Sequence, residues 1–200
     1  MELRAAGILS ANPGGDGFPG LEIGAAGGML AGGMKTATGG AVVRSAGFSD
    51  TRSIFAIIKD HPNELVPRSL NDINQNIDRF LVAEAAGVVV GTVSWGILPE
   101  IGTAAHPTIE IKSLAVTPAR RGSGLGRRLV EAAVERVKRM HPEQVIVLTF
   151  SPDFFRKFGF VEVPKETLMH KLYTGCVNCS KYDSPFTCPE VAMSLDLRSA

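Results

Sequence analysis

The hydrophobic positions of this chain follow two kinds of repeat, of which the first is helical. In "GLGRRLVEAAVERVKRM", apolar residues recur every three or four positions, which predicts an amphipathic helix over 124–140. The same spacing predicts helices over 49–60 and over 67–80, the latter beginning with a capping box of Ser69 and Asp72. The three apolar stripes consist of Leu125, Leu129, Ala132, Ala133, Val137 and Met140; of Ile54, Ile57 and Ile58; and of Leu70, Ile73, Ile77 and Phe80.

The second kind of repeat is typical of strands. "FLVAEAAGVVVGTVSWGIL" (80–98) predicts two strands around an Ala-Ala-Gly turn at 85–87. "QVIVLTF" (144–150) is continuously apolar, which predicts a strand that is buried on both faces. A short helix with proline near its start and glycine at its end is predicted over 152–160. Further strands are predicted at 41–46, 108–116 and 191–197. This order of elements indicates an α/β protein with a mostly antiparallel sheet.

The first 40 residues differ from the rest of the chain. They contain 12 of the 22 glycines and few charges, and they show no helical or strand period. Because glycine loses the most entropy on ordering, we expect a disordered segment over 1–40 and one domain over 41–200. The segment has no basic start followed by a continuous apolar core, so it does not resemble a signal peptide.

Overall composition excludes several classes of partner. Hydrophobic residues make up 44% of the chain, charged residues 20%, and the formal net charge is +1, as in an ordinary globular protein. This charge gives no reason to expect a nucleic-acid partner, and no apolar run is long enough for a membrane helix. The three cysteines cluster near the C-terminus and do not form a disulfide framework, which favours a cytoplasmic protein with reduced thiols.

One loop carries a chemical signal. In "LAVTPARRGSGLGRRL", a strand ends before Pro118, a glycine cluster follows, and the helix over 124–140 begins at once. Glycines let a ligand approach the backbone, and the free N–H groups at a helix start bind phosphate. Four arginines around the loop add positive charge: Arg120, Arg121, Arg127 and Arg128.

Three other interpretations of the loop exist. A plain strand-to-helix turn with a glycine hinge is the favoured interpretation of a glycine-rich turn taken alone. The dinucleotide-binding fingerprint requires G-x-G-x-x-G, whereas the spacing here is Gly122-x-Gly124-x-Gly126. The Walker loop is also absent, since no Gly-Lys-Ser/Thr is present.

The loop does match the pattern R/Q-x-x-G-x-G/A, as "RGSGLG" directly after a strand and a proline. With "FFRKFGF" (154–160), it resembles the GNAT superfamily of acetyl-CoA-dependent N-acetyltransferases, over about 41–197. The resemblance implies the GNAT fold: a mostly antiparallel central sheet flanked by helices, with two central strands splayed apart. It also implies acetyl-CoA as co-substrate, held by Leu114, Ala115, Val116, Arg121, Gly122, Ser123, Gly124, Leu125, Gly126, Arg127 and Phe155.

Three further segments are similar to the short bacterial N-acetylglutamate synthases. They are "EIKSLAV" (110–116), "VLTFSPDFFRKFGF" (147–160) and "LVPRSL" before "FLVAE". This resemblance implies acetylation of the α-amine of L-glutamate, the first step of arginine biosynthesis. Two rivals stay open: transfer to another small amine or protein amine, and a non-catalytic acyl-CoA-binding or zinc-binding regulatory module. We expect an amino-acid partner and no nucleic acid or membrane, and we leave a homodimer open.

Glu110 is the candidate general base. It lies in mid-strand between Ile109 and Ile111, on the same predicted face as Lys112 and Leu114. A carboxylate there can take the proton that the acceptor ammonium must lose before it attacks. The synthases carry a glutamate at this position, which supports the role by resemblance. The alternative is a surface salt bridge with Lys112.

Arg68, Lys112 and Lys171 are the candidates for substrate binding. Glutamate presents two carboxylates, and basic side chains, arginine above all, recognise such groups. The three residues match basic positions of the synthases by resemblance. Each of them alone is more often a solvated surface charge, and only their joint match gives the binding role equal weight.

One position departs from the family pattern. Many GNAT enzymes place a tyrosine four residues before the glycine of "GF", where it protonates the departing thiolate, but this chain has Phe155. The proton donor is therefore unassigned, with Thr149, Ser151 or unaided departure as alternatives. The oxyanion donor implied by the family is a backbone N–H near 114–116.

The three cysteines leave three interpretations open. Cys176, Cys179 and Cys188, with His170 upstream, are enough in number for a zinc site. Their spacing, with a single C-x-x-C hook, favours reduced thiols in a loop (170–190) near the substrate site. A redox-sensitive pair is the third interpretation. The remaining histidines, His61, His106 and His141, are predicted to lie on the surface.

Overall fold

The computed structural model describes residues 40–102, 106–176, 179 and 181–198. Residues 1–39 lie outside the described residues, so the disorder expected over 1–40 stays a prediction. No helix in the described ranges is both long and apolar enough to cross a membrane.

Seven strands of the described chain form one sheet in the order β1-β2-β3-β4-β5-β7-β6. All neighbours are antiparallel except β4 and β5, which confirms the mostly antiparallel α/β prediction. The two-residue β6 was not predicted, because so short a strand leaves no pattern. The strands are β1 Val42–Ser45, β2 Phe80–Ala85, β3 Val88–Gly102, β4 Pro107–Val116, β5 Gln144–Thr149, β6 Val161–Glu162 and β7 Val191–Asp196.

The helices flank this sheet. They are α1 Thr51–Lys59, α2 Leu70–Gln75, α3 Leu125–Lys138, α4 Pro152–Arg156 and the single turn α5 Met169–Lys171, which continues as a π-helical turn over Leu172–Cys176. Helix α2 is shorter than the predicted 67–80. Its C-terminal end comes early because Phe80 already pairs with Ser94 in the sheet, and this strand pairing overrides the helical pattern. Leu70, predicted to lie in the apolar stripe, is 42% exposed. Ser69 caps α2 as predicted, accepting from the Asp72 N–H at 3.1 Å.

The core lies on both faces of the sheet. Helix α3 buries Leu129, Ala133 and Val137 against one face, where Val145 and Val147 of β5 also point. Ile146 of β5 packs on the opposite face, in a second cluster. Strand β5 is therefore buried on both faces, as its continuous apolar run predicts.

Strands β4 and β5 pair over only two positions. Ile109 lies opposite Val145 and Glu110 opposite Ile146, after which the two strands separate. Both strands continue beyond this point, to Val116 and Thr149. The splayed central strands expected from the resemblance are thus present, and they open a cleft in the middle of the sheet.

A β-bulge interrupts β4 beside this cleft. The register between β3 and β4 shifts between Thr92 and Ser94, and Ser113 has a left-handed φ of 53°. The extra residue reverses which face each following side chain points to. Leu114 accordingly packs against the core on the α3 side. The prediction that Leu114 shares a face with Glu110 is wrong, because strict alternation does not survive a bulge.

Candidate functional site

The glycine loop has the geometry that a phosphate site requires. Gly122 and Gly124 have φ values of 75° and 81°, which side chains with a Cβ rarely adopt. Gly124 is the N-cap of α3 and supplies no capping side chain. The first N–H groups of α3 therefore have no intrahelical acceptor and point towards the loop. The space around both glycines is open, so the backbone is accessible to an anion.

An inter-strand cleft of about 470 Å³ runs from this loop between β4 and β5. Six residues predicted to hold the cofactor line it: Leu114, Ala115, Val116, Arg121, Gly126 and Phe155.

The remaining predicted cofactor residues lie in or beside the glycine loop. Gly122 and Gly124 form its left-handed turns, and Ser123 donates its hydroxyl to the Arg120 carbonyl oxygen. Leu125 is buried in the core, so only its backbone can face a ligand. Arg127 lies 3.8 Å from Glu131 on the first turns of α3.

A second cavity of about 300 Å³, here called the side cavity, adjoins the cleft. Its wall contains all four residues predicted for catalysis and substrate binding: Arg68, Glu110, Lys112 and Lys171. They come from the α1–α2 connection, from β4 and from α5. The two cavities share Glu64, Leu65, Ile111, Lys112, Ser113 and Leu148 in their walls, so they meet where β4 leaves β5.

Glu110 is buried and paired with a cation. Its Oε1 lies 2.9 Å from Lys171 Nζ, and both side chains are largely shielded from water. The predicted alternative, a surface salt bridge between Glu110 and Lys112, is wrong in both partner and exposure. Lys171 reaches this position as the last residue of the single turn α5, which no periodicity in the sequence predicted.

Arg68 is fixed by several partners at once. Its Nε donates to Asp72 at 2.5 Å, and its Nη1 lies 3.3 Å from the hydroxyls of Ser94 and Ser113. The guanidinium also stacks 5.1 Å from the centre of the Phe80 ring. The Arg68 hydrogen bond lowers the pKa of Asp72. Arg68 is therefore a fixed side chain in the wall of the side cavity rather than a solvated surface charge.

Lys112 lies at the junction of the two cavities. No salt bridge connects it to a carboxylate among the described residues, although Glu110 and Asp72 are close enough to interact electrostatically. Burial lowers the pKa of Lys112. Its side chain lies across Gly96, where a Cβ would come within 2.8 Å of Nζ. A cation in this position is available to an incoming anion.

Comparison with known proteins decides the family. The model of the acetyltransferase (GNAT) domain matches residues 76–162. An uncharacterised N-acetyltransferase of Chlorobaculum tepidum is 33% identical over 153 residues, which are 76% of this chain and 93% of that protein. The chain belongs to the GNAT family of N-acetyltransferases.

Two more relatives extend this finding. An amino-acid acetyltransferase of Mycobacterium tuberculosis is 29% identical over 71% of this chain and 79% of its own. A Mycobacterium tuberculosis protein solved in complex with CoA and NLQ has a TM-score of 0.65 and 26% identity, covering 78% of this chain and 99% of that one. The chain is thus an acetyl-CoA-dependent N-acetyltransferase, and the family finding favours an enzyme over the regulatory-module interpretation.

The cysteines of the acetyltransferase line the side cavity. Cys176, Cys179 and Cys188 are all free thiols in its wall. Burial raises the pKa of the Cys176 and Cys188 thiols. Within the described ranges, no three histidine, cysteine, aspartate or glutamate residues are arranged to hold a metal ion. The zinc hypothesis for these cysteines and His170 therefore finds no ligand set there.

Sequence reasoning missed two residues of this GNAT site. Glu190 lines the side cavity, where burial raises its pKa, and it accepts from Cys188 Sγ at 3.6 Å. It lies in a segment without periodicity, so no pattern pointed to it. His61 was predicted to be a surface residue, which is wrong: it is 4% exposed and lines the inter-strand cleft. Its spacing from Ile57 and Ile58 continues the buried stripe of α1, and this signal could have located it.

Proposed function

We propose that this enzyme transfers the acetyl group of acetyl-CoA to the α-amine of a small amino acid, with L-glutamate as the first candidate. The observation that carries the proposal is that Arg68, Glu110, Lys112 and Lys171 line one cavity beside the cofactor cleft. The name of the Mycobacterium tuberculosis relative, amino-acid acetyltransferase, supports this acceptor class. Roles in arginine biosynthesis and in the cytoplasm belong to the same proposal.

L-Glutamate carries two carboxylates, and its recognition needs a cation for each of them. Lys112 has no salt-bridge partner in the described part of the chain, and Arg68 keeps further N–H donors beyond those bound to Asp72 and the two serines. We assign these two cations to the substrate carboxylates. Lys171, predicted from the sequence to bind substrate, is paired with Glu110, and we assign it to positioning that carboxylate.

The chemical steps follow from this arrangement. Glu110 takes a proton from the substrate ammonium, directly or through one water, and the free amine attacks the thioester carbonyl carbon. A backbone N–H near 114–116 donates to the oxygen as negative charge develops on it. The carbon–sulfur bond then breaks and the thiolate leaves into the inter-strand cleft. The loop at 121–124 and the start of α3 bind the pyrophosphate of coenzyme A.

One observation favours a second candidate, an acceptor with a neutral or cationic side chain. The side cavity also contains Glu64 and Glu190 in its wall. A carboxylate on the acceptor side chain would be repelled if it faced either of them in the charged form. Another small amine is therefore the alternative acceptor, with the same cleft and the same base.

The deciding experiment measures acetyl-CoA consumption against a panel of amino acids and polyamines, with arginine added in a second series. Turnover with glutamate above all other amines supports the proposal, and turnover with a polyamine or a neutral amino acid instead contradicts it. Lys112→Met should then raise the KM for glutamate about 10- to 100-fold, as expected for loss of a charged hydrogen bond. Lys138→Met, an exposed lysine on α3, is the matched control and should leave KM unchanged.

A further inference from the structure

A buried histidine in the wall of the inter-strand cleft has no role in the steps above. His61 follows the C-terminus of α1, and its Nδ1 lies 2.7 Å from the carbonyl oxygen of Ile57. A carbonyl oxygen only accepts, so Nδ1 carries the hydrogen of this bond. The contact fixes the ring and leaves Nε2 as the atom that can gain or lose a proton.

The Nε2 atom of His61 is buried without a hydrogen-bond partner among the described residues. Burying an unpaired polar atom is unfavourable, so such an atom beside a ligand cleft calls for a physical explanation. The turn that begins at His61 is closed by the Leu65 N–H, which donates to the His61 carbonyl oxygen at 2.9 Å. The same turn supplies Glu64 and Leu65 to the junction of the two cavities. The ring therefore lies at the start of the turn that reaches the junction of the two cavities.

The steps above do not assign a group that protonates the departing thiolate of coenzyme A. The thiolate of coenzyme A is the leaving group, and the family's tyrosine position is Phe155, which has no proton to give. The charged groups that face the cleft beside His61 are Glu64 on the same turn, Lys112 on β4 and Arg121 in the glycine loop. Arginine does not release a proton, and Lys112 is assigned to the substrate carboxylate.

The hydroxyls of Thr149 and Ser151 also line the cleft. The Thr149 hydroxyl oxygen accepts from the Ser151 N–H at 2.9 Å, and both hydroxyls are much weaker acids than an imidazolium. Histidine is the side chain that exchanges its proton near neutral pH, which suits a donor to a thiolate.

We propose that His61 is the general acid of this acetyltransferase. As the tetrahedral intermediate collapses, the carbon–sulfur electron pair passes to sulfur, and the protonated Nε2 of His61 gives its proton to that sulfur, directly or through one water. The nitrogen releases its remaining extra proton to water, so the products are the acetylated amine, coenzyme A as the free thiol, and neutral imidazole, which regains a proton from water that enters the cleft. Hydrogen bonds of this kind often close only once the substrate is bound. The proposal rests on the established acetyl transfer and, through the role given to Lys112, on the proposed amino-acid acceptor, but it does not require that this acceptor be glutamate.

The test compares His61→Ala and His61→Gln with the parent enzyme, using whichever acceptor gives the highest rate. Both variants should lose at least about 100-fold in kcat, the usual contribution of a general acid, while the Kd for acetyl-CoA from calorimetry changes less than about threefold. An acid must be protonated to act, so kcat of the parent should fall as pH rises, and this alkaline limb should be missing in both variants. His141→Asn, at an exposed position whose positive φ suits asparagine, is the matched control and should keep the parent profile.

Chemical rescue separates proton donation from a packing role. Imidazole added to His61→Ala should restore turnover in proportion to its protonated concentration. Pyrazole has the same shape and is a far weaker base, so it should not restore turnover. Parent-level kcat in His61→Gln, a loss confined to acetyl-CoA affinity, or equal rescue by both azoles would each overturn the assignment. Circular dichroism and acetyl-CoA binding of His61→Gln establish that the fold is retained.

Discussion

The Glu110 carboxylate combines burial with a single strong partner. It lies in a strand whose neighbouring side chains, Ile109 and Ile111, point into the core on the opposite face. Its own face holds the Lys171 ammonium at 2.9 Å. The ion pair holds the carboxylate in a fixed position in the wall of the side cavity, where an acceptor amine can reach it.

Replacing this carboxylate tests the base directly. Glu110→Gln keeps the size of the side chain but cannot take up a proton, so kcat should fall at least about 100-fold while the Kd for acetyl-CoA stays within about threefold. Steady-state kinetics and calorimetry measure the two quantities. Glu135→Gln, an exposed glutamate on α3, is the control and should behave like the parent. Parent-level turnover in Glu110→Gln would remove Glu110 from the mechanism.

At the residue scale, the sequence identifies the residues of the site better than it identifies the side chains that they contact. The position of Glu110 in a strand followed from its apolar neighbours, and the resemblance pointed to Arg68, Lys112 and Lys171. The partner of Glu110 did not follow, because Lys171 lies 61 positions away in a turn without periodicity. The burial of His61 can be predicted from the sequence only if the helical spacing of the buried α1 residues is extended beyond the end of that helix.

The bulged strand β4 and the start of helix α3 both contribute to the cofactor cleft, which opens between β4 and β5. Strand β4 parts from β5 after Glu110 and bulges at Ser113, and the glycine loop then starts α3 with open backbone donors. The loop and the helix were predictable, since glycines and a regular apolar stripe are local signals. The bulge was not, because a one-residue shift in pairing depends on the neighbouring strand.

A substitution in the loop tests the assignment of this element to coenzyme A. Gly124→Glu should weaken coenzyme A binding at least about 100-fold, because it forces a side chain into a left-handed φ and adds a negative charge beside the pyrophosphate. Gly124→Asn is the matched control: asparagine tolerates this φ and carries no charge, so most affinity should remain. Calorimetric titration with coenzyme A measures both. Normal affinity in Gly124→Glu would contradict the loop assignment.

At the scale of the described molecule, the site lies in the middle of the seven-stranded sheet, where β4 and β5 separate. The cleft and the side cavity meet between β4 and β5, with walls supplied by β4, β5, α5 and the connections around α1 and α3. The order of the elements predicted the mostly antiparallel sheet, and the family resemblance predicted its splay. The shape of the side cavity was not predictable, since it is formed by the irregular 165–190 region.

The described core includes contacts close to the predicted start of the domain. The sheet begins with β1, whose Arg44 bonds Asp50 before α1 and Glu84 in β2. The Arg128 guanidinium of α3 donates to the Ala41 carbonyl oxygen at 2.6 Å. These contacts tie the first described residues to the sheet and to α3. The domain start near residue 41, predicted from the glycine distribution, stays a prediction because residues 1–39 lie outside the described residues.

Truncation tests this boundary for the molecule as a whole. A chain that begins at Met34 should keep the parent acetyl-CoA affinity and change in stability by less than about 1 kcal/mol, a shift in Tm below about 3 °C, because it retains every core contact described from Ala41 onwards. A chain that begins at Gly47 loses β1 and the Arg44 bonds, so it should melt much lower or fail to fold. Thermal denaturation with and without coenzyme A measures both. Marked destabilisation of the first truncation would show that residues before Met34 belong to the folded domain, because only their contacts could account for the loss.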